Sequence, residues 1–447
     1  MTALLDQSDL LDRAARLVEA ARRAGADAAD AVCIRGVSMS VDVRLGKVEE
    51  TNRAEGNDFS LRVFVGRRNA SVSANVLADP ATLAERAVAM ARVAPEDRFA
   101  GLADADLLAK EYPDLDLLDD TIPSPESLTD AARAAEEAAL AVKGVTNSGG
   151  GSAGWSLSGL VLATSHGFSG SYLTSRFGLS AMAIAGEGTG MERDYESVTK
   201  THWADLPSPE WVGSEAGRRA VARLNPGKLR TGRGTVVFDP RISASLVGHV
   251  AGAANGAAIA RKTSFLMKAL GTAIFPKGVR ITDDPFRRRG LGSRPFDGEG
   301  VRAEPFALIE DGVLTRWFLD SATARELGLQ TNGRASRGGG NPSPGSTNLT
   351  LEPGDVTPEA LIAEAGEGIY VTDLIGQGVN IVTGDYSRGV AGFRIAGGRL
   401  AEPVSEITVA GNLRDMFARL RVANDLQYRY ATNAPTLAIE GMTIGGR

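Results

Sequence analysis

Residues 373–412 read DLIGQGVNIVTGDYSRGVAGFRIAGGRLAEPVSEITVAGN, a set of short strands punctuated by glycine turns. Val379 and Ile381 alternate with polar neighbours, and Gly384-Asp385 can turn the chain. Gly389 to Ile395 then reads as a returning strand, Gly397-Gly398 as a second tight reversal, and Val404 to Val409 as the strand that leaves it. A polar cluster, Asp385-Tyr386-Ser387-Arg388, stands at the first turn, where a scaffold often presents functional side chains. These glycines belong to a chain-wide excess of 53 in 447 residues. They show no three-residue period, which excludes collagen and suits a turn-rich β architecture.

Upstream, Leu10, Leu11, Ala14, Leu17, Val18 and Ala21 recur at helical spacing behind Ser8, a candidate N-cap. Alternating strands follow, with Met39, Val41, Val43 and Leu45 on one face, then Phe59, Leu61, Val63 and Val65 on another. Asp79-Pro80 opens a second amphipathic helix. Three later helices are predicted to start at Ser124-Pro125-Glu126, Ser208-Pro209-Glu210 and Thr357-Pro358-Glu359. In each, a hydroxyl cap, a proline that needs no N–H partner and an acid facing the positive helix end agree. Asn147 to Ser152 (NSGGGS) reads as a loop, and Lys228 to Gly234 as a linker. The resulting expectation is an α+β fold with an N-terminal mixed α/β region and a Gly-rich, largely antiparallel β C-terminal domain holding one long buried helix. The boundaries fall at 1–110, 111–227 and 228–447.

The formal net charge of −6 disfavours nucleic acid as the main partner. No apolar run approaches the ~20 residues of a membrane helix, and the acidic, helix-patterned N-terminus shows no secretory signal. With Cys33 alone there is neither an internal disulfide nor a cysteine-rich zinc site. A soluble, cytoplasmic protein is expected. The long helix, from about Ile242 to Phe265, carries Gly248, Gly252 and Gly256 at four-residue spacing. Each costs a helix about 1 kcal/mol relative to Ala, so close approach of another element is the expected reason, with room for a bound peptide or cofactor as the alternative.

Taken as a whole, the order GQGVN, TGDYSRG, PV, ITVAGNL closely resembles the C-terminal signature of the TldD/PmbA family, and specifically its PmbA (TldE) branch. Members are tied to zinc-dependent proteolysis. The resemblance extends to DFSLRVFVGRRNASVSAN in the first region and to PSP followed by NLTLEPG. In the catalytic branch the matching helix resembles HEAxGH, with two histidines and a glutamate base; their five-residue separation would need a π-type widening to share a face. Aligning on Arg261-Lys262 puts Gly248 and Ala253 at the histidine positions and His249 at the glutamate. The family's C-terminal cysteine ligand is likewise missing from ANDLQYRYATNAPTL. The resemblance therefore implies a chain with no catalytic or metal-ligating residues and no cofactor of its own. It would pair as a heterodimer with a TldD-like catalytic subunit that holds the zinc, shaping a cavity for unfolded peptides. Cavity or peptide-binding candidates are His249, Arg334, Asn380, Asp385, Tyr386 and Arg388.

Two other classes stay open: a non-proteolytic peptide-binding or regulatory homodimer, and an independent hydrolase using His249 with carboxylates. Arg287 to Arg294 reads as a solvated face, or second as an interface. Gly186 to Gly190 lacks the full dinucleotide pattern and reads as a turn, and no Gly-x-Ser-x-Gly nucleophile elbow is present.

Overall fold

The computed structural model describes residues 6–75, 79–338 and 340–446. Six strands build the first sheet: β1 (Ala28–Arg44), β2 (Lys47–Val65), β3 (Arg68–Asn75), β4 (Val145–Thr164), β5 (Ser169–Ala185) and β6 (Glu192–Lys200). Their order is β3-β2-β1-β4-β5-β6, antiparallel throughout. Because β1 pairs with β4, one sheet runs across the division expected near residue 110. The helices Ser8–Arg23 and Pro80–Val93 cover one end through Leu10, Leu17, Phe59, Leu61 and Val161. Pro125–Leu140 and Pro209–Ala222 cover the other through Leu128, Val41, Trp155, Leu179 and Val212.

The hydroxyl-proline-acid signals act as predicted: Ser124, Ser208 and Thr357 accept hydrogen bonds from the N–H groups of Ser127, Trp211 and Ala360. Ser8 is the first helical residue instead of the cap, which is Gln7 without a side-chain bond. Asn147 to Ser152 lies inside β4 and is no loop. Its glycines serve packing, since a Cβ on Gly151 would stand 2.1 Å from the Ala132 carbonyl oxygen of the covering helix.

The C-terminal half comprises β7 (Gly232–Phe238), β8 (Ile281–Asp284), β9 (Phe306–Glu310), β10 (Val313–Leu314), β11 (Ala335–Ser336), β12 (Ser343–Pro344) and β13 (Asn348–Leu351). It continues with β14 (Gly368–Ile375), β15 (Asp385–Ala396), β16 (Arg399–Asn412), β17 (Leu420–Val422), β18 (Thr432–Asn433) and β19 (Leu437–Gly445). One sheet has the order β16-β15-β14-β7-β19-β17, and β16 also pairs with β19. Five strands thus close on themselves into a small barrel. A second sheet, β10-β9-β8-β13-β18, packs into the same core, which contains Phe238, Val250, Phe265, Ile281, Phe318 and Leu437. The predicted hairpin at Gly397-Gly398 forms between β15 and β16, whereas Val379 and Ile381 lie in a loop touching β15 by a single bridge.

The expected long buried helix is two pieces. One helix spans Pro240–Ala253 and a short one Gly256–Ala260. The chain breaks at Asn255, whose side chain accepts from the Ala257 N–H and donates to the Pro344 carbonyl. Close packing is the reason for Gly256 alone, where a Cβ would stand 2.6 Å from the Phe318 oxygen. Gly248 and Gly252 are exposed, and a Cβ on either would meet nothing within 4 Å.

The halves are joined by buried and half-buried ion pairs. Asp30 on β1 binds Arg62 on β2 and Arg337 from the C-terminal half, the latter at 2.6 Å. Arg241, at the start of the Pro240–Ala253 helix, reaches Asp194 on β6 at 3.0 Å. The arginine run read as a solvated face also reaches back: Arg288 and Arg289 both bind Asp116, and Arg289 binds Asp205. Among the described residues no helix is long and apolar enough to cross a membrane.

Candidate functional site

The polar cluster at the mouth of β15 is organised by its own backbone. Asn380 accepts hydrogen bonds from the N–H groups of Val382 and Thr383, and its own N–H donates to the Asp385 carbonyl at 2.9 Å. The Asp385 carboxylate accepts from the Thr383 hydroxyl at 2.7 Å and the Asn412 amide at 3.2 Å. Those two bonds hold its pKa below the ordinary carboxylate value. Gly378 is obligatory here, because a Cβ would lie 1.6 Å from the Ser387 carbonyl. Asn380 and Asp385 are exposed, so the loop is braced yet accessible.

Strand periodicity then turns Tyr386 inward, opposite to its neighbours. Its side chain is 1% exposed and meets the His249 ring edge-to-face, the centroids 6.1 Å apart. Neither the Tyr386 hydroxyl nor His249 Nε2 has a hydrogen-bond partner among the described residues, although both atoms are buried. Burial pushes the tyrosine up to about 12, opposed by the Arg388 guanidinium. Burial and Arg388 together lower His249 to about 4. Both groups are therefore neutral near pH 7. Side by side they offer one hydroxyl and one imidazole nitrogen, suited to hydrogen-bonding a neutral carbonyl or amide. Arg388 stays half-buried, its Nε donating to the Ile375 carbonyl at 3.4 Å.

Five of the six predicted residues thus meet on the β14–β15 loop, β15 and the helix beneath them. Arg334 does not join them. It is fully buried, donates to Asp283 at 2.5 Å and to the carbonyls of Asn332, Gly333, Asp283 and Glu304, and lies over the Phe306 ring. No donor is left for a peptide, so the expectation that it lines a cavity is corrected. A flexible-looking Gly-Ser-Pro loop concealed an arginine that its own backbone and Asp283 wrap around.

The residues present do not fit a zinc ion of the family type. Gly248 is exposed and Ala253 is a buried methyl at the last turn of the Pro240–Ala253 helix, so the two positions neither share a face nor offer a lone pair. The helix ends at Ala253 without a π-type turn. Elsewhere, His166 Nδ1 bonds the Ala103 carbonyl at 2.8 Å, His202 faces Asp116 at 3.2 Å, and Cys33 is buried with its thiol pushed up to about 11 by desolvation. Among the described residues, no three His, Cys, Asp or Glu side chains converge in a way that could hold a metal ion.

A closed five-stranded barrel under a long-stranded antiparallel sheet, with this loop at its rim, is the architecture of one class of metallopeptidase-like proteins. Three consecutive profiles of that class match: PmbA/TldA metallopeptidase domain 1 over residues 29–91, the central domain over 119–224 and the C-terminal domain over 231–446. The chain belongs to the PmbA/TldD metallopeptidase family. It is 38% identical to Metalloprotease PmbA of Escherichia coli O157:H7, covering 94% of this chain and 93% of that one. A crystal structure from Bacteroides thetaiotaomicron, named as a candidate modulator of DNA gyrase, superposes with a TM-score of 0.90 at 29% identity, covering 99% of each chain. TldE from Thermococcus kodakarensis shares the fold, with a TM-score of 0.84 at 18% identity over 97% of this chain and 99% of that one.

Proposed function

We propose that the chain is a non-catalytic subunit of a TldD/PmbA-type zinc metalloprotease complex that degrades unfolded peptides. A TldD-like partner carries the zinc, the base and the reacting water, and this chain shapes one wall of the shared cavity. The observation that carries this reading is the exposed face of the Pro240–Ala253 helix. Where the catalytic branch carries histidines, Gly248 presents hydrogen atoms to open space and Ala253 turns its methyl into the core. Next to that face, the braced and exposed Asn380–Asp385 loop supplies hydrogen-bonding groups, beside the buried His249–Tyr386 pair. An extended peptide, with its unpaired backbone N–H and C=O groups, is the ligand such a surface accommodates, while folded domains are excluded by size.

The test is metal content and peptidase activity of the purified chain, alone and mixed with an HExxxH-bearing relative from the same genome. Alone, it should hold far less than one zinc per chain and leave a denatured protein substrate intact. The mixture should hydrolyse it. Zinc-dependent hydrolysis by the lone chain, abolished by a substitution in that chain, would refute the assignment.

A further inference from the structure

A cleft of about 240 Å³ opens where the two halves meet, remote in sequence from the loop described above. Its walls are the end of β6 with Lys200, the Arg287–Leu291 turn and the segment Tyr428-Arg429-Tyr430. Four cations line it, Lys200, Arg287, Arg289 and Arg429, against one carboxylate, Asp205. Two are already neutralised: Arg289 by Asp116 at 2.7 Å and Asp205 at 3.0 Å, and Arg429 by Glu196 at 2.8 Å. Even these counter-charges are shared, since Glu196 also binds Arg219, and Asp116 also binds Arg288 and faces His202.

Lys200 and Arg287 have no carboxylate within ion-pair distance among the described residues. Both settle on one residue instead: the Lys200 ammonium donates to the Tyr428 carbonyl at 3.5 Å, and the Arg287 guanidinium stacks on the Tyr428 ring. The guanidinium lies over that ring and makes no hydrogen bond among the described residues, so its N–H donors are free. Tyr428 and Tyr430 stay 48% and 41% exposed, so their rings are open to a ligand in the cleft. A concave site with surplus positive charge, a free fork and aromatic walls concentrates and orients an anion.

We propose that this cleft binds a single oxyanion group, carboxylate or phosphate. Arg287 takes it through two N–H donors, Lys200 supplies the second charge, and the tyrosine rings cover the part of the ligand next to the anion. The site stands apart from the subunit assignment, because its lining shares no residue with the Gly248 face or with the His249–Tyr386 pair. Either can fail alone.

The experiment is calorimetric titration of the full chain at constant ionic strength with three probes: inorganic phosphate, an extended peptide ending in a free carboxylate, and the same peptide amidated. Saturable binding is expected for phosphate or for the free-carboxylate peptide, with the amide at least tenfold weaker. Preference for phosphate assigns the source as a phosphate group, and preference for the carboxylate assigns it as a peptide terminus; either supports the site. Arg287→Gln with Lys200→Gln should weaken binding at least tenfold, whereas Arg280→Gln, in an exposed pair with Glu310 and outside the lining of the cleft, should not. If the double variant misfolds, Lys200→Gln alone reads the same site. The idea is overturned if no probe binds saturably, if the amide binds as well as the acid and phosphate does not bind, or if affinity survives in a folded variant.

Discussion

The environment of His249 makes it a neutral, desolvated ring. The unfolded chain takes up a proton on this histidine near pH 6.5, whereas the folded chain refuses it until about pH 4. Its contribution to stability is therefore intact above about pH 6.5 and is lost progressively as the pH falls toward 4. After allowance for the ring's partial exposure this amounts to about 1–2 kcal/mol. Unfolding free energies from urea titrations at pH 7 and pH 4.5 should differ by that much less in His249→Gln than in the wild type. An identical pH dependence in both would show that the ring protonates freely. Candidate residues on the 373–412 stretch were legible because they cluster in sequence at a turn. The pairing of Tyr386 with His249 was not, since nothing local reports which way a strand residue faces until its neighbours are in place.

Elements separate two kinds of glycine that look alike on paper. Gly248, Gly252 and Gly256 share one spacing, and one explanation served for all three. In the fold, of the three, only Gly256 backs onto another segment, Phe318–Leu319, and the Pro240–Ala253 helix stops before reaching it. Gly248→Ala and Gly252→Ala should each stabilise the isolated chain by about 1 kcal/mol through helix propensity, because the added methyl meets no atom. Gly256→Ala should destabilise it by about 1–3 kcal/mol, the cost of forcing apart a packed backbone. Chemical denaturation of the three variants checks this, and equal effects at all three positions would contradict the assigned packing. The caps at Ser124, Ser208 and Thr357 were legible because capping is decided within four residues. The break at Asn255 was not, because it depends on Phe318 and Pro344 arriving from elsewhere.

At the scale of the whole molecule, buried charge couples the two halves. Asp30 accepts from Arg62 and from Arg337, and both arginines are largely withdrawn from water. Asp30→Asn should cost about 3–5 kcal/mol, because it leaves the buried Arg337 guanidinium without its counter-ion and Arg62 with Glu299 alone, at 3.9 Å. The same variant should expose the 332–345 segment to protease at concentrations that spare the wild type; unchanged stability and cleavage would show that Arg337 is held by other contacts. Local chemistry along the chain, by itself, determined the helix starts, the strand alternation, the β15–β16 hairpin and the absence of zinc donors at positions 248 and 253. Each of these depends on residue type and on neighbours a few positions away. Tertiary structure alone decided that Arg334 is a core residue, that the arginine run binds Asp116 and Asp205, that Lys200 and Arg287 meet at Tyr428, and that five strands close into a barrel. Those outcomes turn on which distant groups are brought close enough to exclude water, and charge, burial and hydrogen bonding acquire their strength only at that distance.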